Sequence, residues 1–194
     1  MYEKIDYIPI QTPFMYTLPQ NHILNDRYII NNVVGQGGFG ITYEAYDKKL
    51  QNIVCIKELF LSGSSTRSTN YTVYSQQTQS ELSFQDFMQR FIEEARQLAK
   101  FQHLNIVRVL DVFQENATAY MVMEYVEAET LKDIINRKGA LSEKEAKPLI
   151  KQLLSAVEEI HKKGMLHRDI KPENLLITKQ NRLVLIDFGS ARAF

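Results

Sequence analysis

The chain has 194 residues, enough for one large domain or two small lobes with a real core. Lys plus Arg and Asp plus Glu both number 23, so the formal net charge is zero and no global basic field invites nucleic acid or an anionic membrane. Cys55 is the only cysteine, which excludes an internal disulfide framework and a thiolate zinc cluster; no apolar run approaches the roughly 20 residues of a membrane span and no signal peptide is legible, so the chain reads as cytoplasmic.

Residues 1–26 are rich in Tyr and Pro (Pro9, Pro13, Pro19), show no helical or strand period, and read as an N-terminal extension that packs opportunistically. Arg27 to Val34 reads as a strand through Ile29, Ile30, Val33 and Val34. The run GQGGFG follows, with Gly35, Gly37 and Gly40 in a G-x-G-x-x-G pattern. A dinucleotide-binding turn would open into a helix, with an acid about 20 residues on. Here Ile41 to Tyr46 reads as a second strand, and the residue near that distance is a base, Lys57, in Ile53-Val54-Cys55-Ile56-Lys57. The glycines therefore sit at a hairpin tip, where backbone N–H groups can approach phosphates and a lysine on the next strand can reach them.

Residues 62–83 are polar and read as a long loop or insertion. Phe84 to Phe101 has a helical period, with Phe84, Phe87, Phe91, Ala95 and Leu98 on one face. Glu94 lies on that inward face. It either pairs with a cation, for which Lys57 is the natural partner, or reaches water from the edge of the stripe. Ile106–Phe113 and Ala119–Val126 read as two more strands, and Thr130/Asp133 and Ser142/Glu145 as capping boxes opening a short and a long helix. Ala146, Leu149, Leu153, Val157 and Ile160 give the long helix its core face. His103 and His161 have no histidine or cysteine at ligand spacing and read as structural.

The stretch HRDIKPENLLITKQNRLVLIDFG, His167 to Gly189, carries the chemistry. Two short apolar runs, Leu175–Ile177 and Leu183–Ile186, flank a polar break that suits a hairpin. A hairpin brings Asn174 and Asp187 to one small volume, as the hard oxygen ligands that Mg²⁺ takes beside substrate phosphates. Asp169 is left as a proton acceptor or nucleophile orienter. The order of elements, mostly strands, then mostly helices, then this hairpin, implies two unlike lobes with a cleft between them.

From about Tyr28 onward the chain resembles the eukaryotic-type protein kinases. The resemblance implies an α+β, two-lobed fold. Residues 27–126 would form an N-lobe of antiparallel sheet plus one helix, with the hinge, interrupted by 62–83; residues 127–194 would form a mainly helical, incomplete C-lobe. GQGGFGITY resembles the glycine-rich loop over ATP, so Gly35, Gln36, Gly37, Gly38, Phe39, Gly40 and Thr42 would lie at the nucleotide. VCIK resembles the V-A-I-K motif, making Lys57 the α/β-phosphate lysine and Glu94 its helix partner. HRDIKPEN resembles the catalytic loop, with Asp169 as base, Lys171 on the γ-phosphate in the Ser/Thr manner, and Asn174 on the second Mg²⁺; IDFG would place Asp187 on Mg²⁺. Met123 would be the gatekeeper and Glu124 to Val126 the hinge that bonds adenine, sandwiched by Cys55 and Leu176. Val109, Leu98, Phe188 and His167 would stack into a spine coupling the lobes.

GGFGITY, IKE, NIVRVLDVF and MEYVEAETL are finer likenesses to a bacterial branch. Thr42 and Cys55 stand where many kinases have valine and alanine, and Leu104 where proline is usual. The chain stops five residues past Gly189, before an activation segment. The resemblance implies a serine/threonine kinase with ATP and Mg²⁺ as cofactors and a protein substrate. An alternative is an ATP-binding fragment or pseudoenzyme whose uncovered long helix promotes self-association. A dinucleotide-binding oxidoreductase is disfavoured by the strand after GQGGFG, and a small-molecule kinase by HRD with its downstream lysine.

Overall fold

The computed structural model describes residues 16–75, 83–188 and 192–193. In chain order, β1 (Ile23–Leu24), β2 (Tyr28–Gln36), β3 (Gly40–Asp47) and β4 (Asn52–Leu59) form an antiparallel meander. A short hairpin of β5 (Ser65–Arg67) and β6 (Val73–Ser75) follows, then helix α1 (Phe84–Leu98), β7 (Val109–Glu115) and β8 (Thr118–Glu124). Strand β8 returns to pair with β4, giving a six-stranded sheet in the order β1-β2-β3-β4-β8-β7. Period-two alternation gives that sheet two buried faces. Tyr28, Ile30, Ile41, Tyr43, Val54 and Ile56 fill one core with Tyr120 and Val122. Met121, from the opposite face of β8, joins the second core, which α1 covers with Met88, Phe91, Ile92, Ala95 and Leu98.

Three expectations change here. The buried stripe of α1 turns towards Met88 and Ile92, leaving Phe84 and Phe87 partly buried at its edge. Residues 62–75 are not a plain polar loop, since they carry the β5–β6 hairpin with Val73 buried; residues 76–82 of that stretch lie outside the described residues. Within the N-terminal extension, residues 16–26 supply β1 and bury Leu18, while residues 1–15 lie outside the described residues.

Residues 103–107 join the two halves of the molecule. Strand β7 begins at Val109 rather than Ile106, because Ile106 forms a parallel bridge to Leu185. Val107 N–H donates to Leu185 O (3.0 Å), Leu185 N–H to Asn105 O (2.9 Å), and the buried Asn105 Nδ2 to Leu183 O (2.7 Å) and Gln152 Oε1 (2.9 Å). Leu104, in the usual proline position, is 78% exposed, so its side chain asks nothing of the core.

The remaining elements are β9 (Ala128–Thr130), α2 (Leu131–Lys138), α3 (Glu143–Lys162), β10 (Met165–Leu166), one 3₁₀ turn (Pro172–Asn174), β11 (Leu175–Thr178), β12 (Leu183–Leu185) and β13 (Arg192–Ala193). Thr130 caps α2 through Asp133 N, and Ser142 with Glu145 forms the expected capping box on α3. Ser83 with Asp86 forms another on α1, hidden in the polar stretch. Leu149, Ala156 and Ile160 bury the inner face of α3, whereas Ile150 and Leu154 stay 53% and 62% exposed. Among the described residues, no helix is long and apolar enough to cross a membrane.

Candidate active site

The expected hairpin forms, with Leu175 opposite Leu185, Leu176 opposite Val184 and Ile177 opposite Leu183. Thr178 N–H and Arg182 O close its turn at 3.0 Å. At its open end Ile186 N–H donates to Asn174 O (3.0 Å), which sets Asn174 beside the strand end that leads into Asp187. Strand β9, just past the hinge, pairs with β11 and places Thr130 opposite Leu176.

The decisive contact spans 130 positions of sequence: Lys57 Nζ lies 2.7 Å from Asp187 Oδ1. Lys57 comes from β4, where it pairs with Thr42 on β3 and Met121 on β8; Asp187 comes from the hairpin's open end. The strand side and the hairpin side of the molecule therefore meet at one ammonium and one carboxylate. Asp187 has φ 61° and Arg168 φ 67°, both in the left-handed region that non-glycine residues enter rarely. Such strain of about 1–3 kcal/mol persists only where the surroundings over-determine it. Here Lys57 grips the Asp187 carboxylate, and the next residue, Phe188, is only 1% exposed.

Phe188 packs edge-on against the His167 ring (centroids 4.5 Å) and near Phe101 (6.1 Å), in the core that holds Leu98 and Val109. His167 Nδ1 accepts from Asp169 N–H (3.3 Å), so its Nε2 carries the proton donated to Ile186 O (3.2 Å). Burial lowers the His167 pKa, consistent with that neutral tautomer. One ring thus fixes both the loop before Asp169 and the strand end before Asp187.

Asp169 accepts from Lys171 Nζ (2.8 Å) and from Asn174 Nδ2 (2.9 Å), which also bonds the Asp169 carbonyl (2.9 Å). The Lys171 ammonium, chiefly, holds the Asp169 carboxyl below its ordinary pKa; the nearby Asp187 charge opposes this. Asp169 is thus ionised at neutral pH with part of its surface open to solvent.

The glycine loop joins β2 to β3, with Gly35 opposite Thr42 and Gln36 opposite Ile41. Gly37 N–H donates to Gly40 O (2.9 Å) across the turn; Gln36, Gly37, Gly38 and Phe39 are exposed. Gly40 is required sterically, since a Cβ there would stand 2.6 Å from Glu58 O. Cys55 sits between Glu44 on β3 and Met123 on β8, and burial pushes its thiol up to about 11, so it is neither charged nor nucleophilic at neutral pH. Glu124 ends β8, its N–H donating to Arg108 O (2.9 Å), and Val126, two residues on, is half-buried. Glu94 is half-buried on α1. Gly189 lies outside the described residues.

Among the described residues, no group of three or more His, Cys, Asp or Glu side chains converges as a metal site. Mg²⁺ does not demand one, because it takes one or two carboxylates and completes its shell with waters and phosphates. The partly exposed Asp187 carboxylate and Asn174 fit that donor set.

Glu58 and Arg67 were not legible as partners. Glu58 appears in the sequence only within IKE, yet it has no exposed surface. A charged residue between apolar Ile56 and Leu59 signals that something must pair with it, but strand alternation does not say what. Asn105 was likewise missed.

The protein kinase domain model matches residues 28–194. Over 171 residues the chain is 36% identical to a probable serine/threonine-protein kinase, CPE1738, of Clostridium perfringens (strain 13 / Type A), covering 88% of this chain and 22% of that protein. It is 35% identical over 170 residues to serine/threonine-protein kinase PrkC of Bacillus subtilis (strain 168), covering 88% and 24%. The chain therefore spans about a quarter of the length of these relatives. Among solved structures, PpkA-294 in its apo form superposes with a TM-score of 0.81 at 35% identity, over 90% of this chain and 62% of that one. The chain belongs to the protein kinase domain family, and among its similar proteins are the bacterial serine/threonine-protein kinases named above.

Proposed function

We propose that this chain binds ATP with Mg²⁺ between the glycine flap and the β11–β12 hairpin, and forms the nucleotide-binding and catalytic-loop part of a serine/threonine protein kinase. The observation that carries this reading is the 2.7 Å approach of Lys57 to Asp187. Gly35 to Gly40 and Thr42 would cover the phosphates, with Lys57 offsetting their charge and Glu94 supporting it from α1. Met123, Glu124, Val126, Cys55 and Leu176 would enclose adenine. Asn174 and Asp187 would hold Mg²⁺, which when bound neutralises charge on the phosphate oxygens.

Asp169 would orient a Ser or Thr hydroxyl of a protein substrate. Its ionised carboxylate would accept the hydroxyl proton as the oxygen bonds to the γ-phosphorus and ADP leaves. A positioned base of this kind contributes typically about 10²–10⁴-fold. Lys171, already bonded to Asp169, would carry its charge to the transferring phosphoryl group. The single cysteine, Cys55, is compatible with a reducing, cytoplasmic setting.

A second reading, nucleotide binding by this span without turnover, is favoured by exposed Ile150 and Leu154 on α3, a face that also supports self-association. Calorimetric titration of ATP with Mg²⁺ should show binding that Lys57→Met and Asp187→Asn weaken; no binding by the wild type refutes the proposal. Labelled ATP, given with a generic acceptor protein to this chain and to a longer gene product, separates the readings. Label from both supports a self-sufficient kinase, and label from the longer chain alone supports the second reading.

A further inference from the structure

On β4, Lys57 faces the nucleotide side and its neighbour Glu58 the opposite core. Glu58 Oε2 accepts from Tyr43 Oη (2.7 Å) and Arg67 Nη2 (2.6 Å), and Oε1 from Tyr120 Oη (2.7 Å). Burial, chiefly, raises both phenol pKa values, so these hydroxyls remain donors. Arg67, only 4% exposed, spends its other nitrogens on backbone: Nε donates to Tyr16 O (2.7 Å) and Nη1 to Tyr71 O (3.0 Å). Its guanidinium lies 5.5 Å from the centroid of the Phe60 ring. A buried carboxylate with this set of donors is well compensated, and one that loses its cation is not.

That network fixes the chain immediately after β4, and this chain segment holds the glycine loop. Ser62 N–H donates to Gly38 O (2.9 Å) and Phe60 N–H to Phe39 O (3.4 Å). Leu61 between them is pinned in turn: its N–H donates to Ser65 Oγ (3.2 Å), while its carbonyl accepts from Ser64 N (3.1 Å) and Ser65 N (2.8 Å). Val73 N–H, on the partner strand of Arg67, donates to Asn116 O (2.7 Å) in the β7–β8 turn, anchoring the far side of the hairpin.

We propose that the β5–β6 hairpin is a brace for the glycine flap, and that Arg67, Glu58 and Ser65 are positioning residues that set the flap over the nucleotide phosphates through the Leu61–Ser62 backbone. The inference rests on the ATP reading above and deepens it. A loop tip of glycines is conformationally loose by itself, and backbone anchors at Gly38 and Phe39 reduce what nucleotide binding must order. The brace touches the phosphate side only. The adenine side would be built by Cys55, Met123 and Leu176, none of which belongs to the β5–β6 hairpin.

The test compares ATP with Mg²⁺ against adenosine by calorimetry, together with amide hydrogen exchange at Ser62, in wild type, Arg67→Ala, Arg67→Lys and Ser65→Ala. In Arg67→Ala the ATP Kd should rise about tenfold or more while the adenosine Kd stays within about twofold. Ser62 exchange should quicken in parallel, since its N–H is the flap anchor. Ser65→Ala should move both readouts the same way, and Arg67→Lys should recover part of the loss. Equal weakening of ATP and adenosine would make the network merely structural and overturn the proposal, as would unchanged ATP affinity with unchanged Ser62 protection. If Arg67→Ala does not fold, Ser65→Ala decides, because it leaves the Glu58–Arg67 pair intact. Should the wild type bind no ATP, the nucleotide reading fails, and Ser62 exchange in Ser65→Ala still judges the brace.

Discussion

Gly40→Ala should damage the fold, whereas Gly38→Ala should damage only phosphate binding. A Cβ at Gly40 would meet Glu58 O at 2.6 Å and Lys57 Cε at 3.7 Å, while at Gly38 it meets nothing within 4 Å. The obstructing atom is a backbone carbonyl of β4, next to the Gly40–Leu59 pair, so no side chain can swing aside. Reaching an ordinary 3.4 Å contact from 2.6 Å needs a shift of about 0.8 Å between paired strands. Overpacking of this kind costs about 1–3 kcal/mol. For a chain of this size that is about 2–12 °C in Tm. Differential scanning calorimetry without nucleotide, followed by ATP titration, reads both effects. Gly40→Ala should lower Tm by that amount and weaken ATP, because the displaced strand carries Lys57. Gly38→Ala should keep the wild-type Tm and lose ATP affinity alone. A Gly40→Ala protein as stable as wild type, or a Gly38→Ala protein with the larger loss of Tm, would refute the steric argument.

Phe188→Ala should cost about 3–5 kcal/mol in urea unfolding, the range for deleting a buried phenyl ring that His167 and Phe101 line; a cost under about 1 kcal/mol would mean the ring is not part of a packed spine. Asn105→Ala should cost about 1–3 kcal/mol, because Leu183 O loses the Asn105 Nδ2 donor and Gln152 Oε1 keeps only its bond from Leu183 N–H, and a neutral result by the same unfolding assay would remove that junction from the account. Burial lowers the His167 pKa in the folded state, so below the ordinary value of about 6.5 the unfolded chain takes up the proton first. Stability is then full above that pH and lost as pH falls, with His22, also lowered chiefly by burial, adding to the same slope. Unfolding midpoints measured from pH 7.5 to 5 should fall more steeply in wild type than in His167→Phe, and equal slopes would reject the neutral-histidine assignment. Asp169→Asn should abolish phosphoryl transfer in a transfer-competent gene product while leaving the ATP Kd within about twofold, since Asp169 binds neither adenine nor metal in the proposed arrangement; unchanged transfer would remove Asp169 from the mechanism.

Local chemistry made much of this protein legible before any coordinates. The alternation in β2 to β4, the period of α1 and α3, the Ser142–Glu145 box and the polar break between Ile177 and Leu183 each follow from rules spanning a few residues, and all produced the expected elements. The same rules misplaced what depends on distant partners. Ile106 and Val107 have the composition of a strand but dock on Leu185 instead of joining the sheet. The polar stretch after Leu61 looked structureless because its order comes from Arg67 reaching a buried acid.

The sequence by itself determined which residue types were present for phosphate chemistry and which local elements would carry them, because periodicity, capping and turn chemistry are short-range. Only the tertiary structure decided that Lys57 and Asp187 meet at 2.7 Å, that one histidine ties Asp169 to the strand before Asp187, and that Glu58 turns away from the site to anchor the hairpin beneath the flap. These pairings depend on where strands far apart in the chain come to lie, and that is set by burial of two cores at once rather than by any single segment.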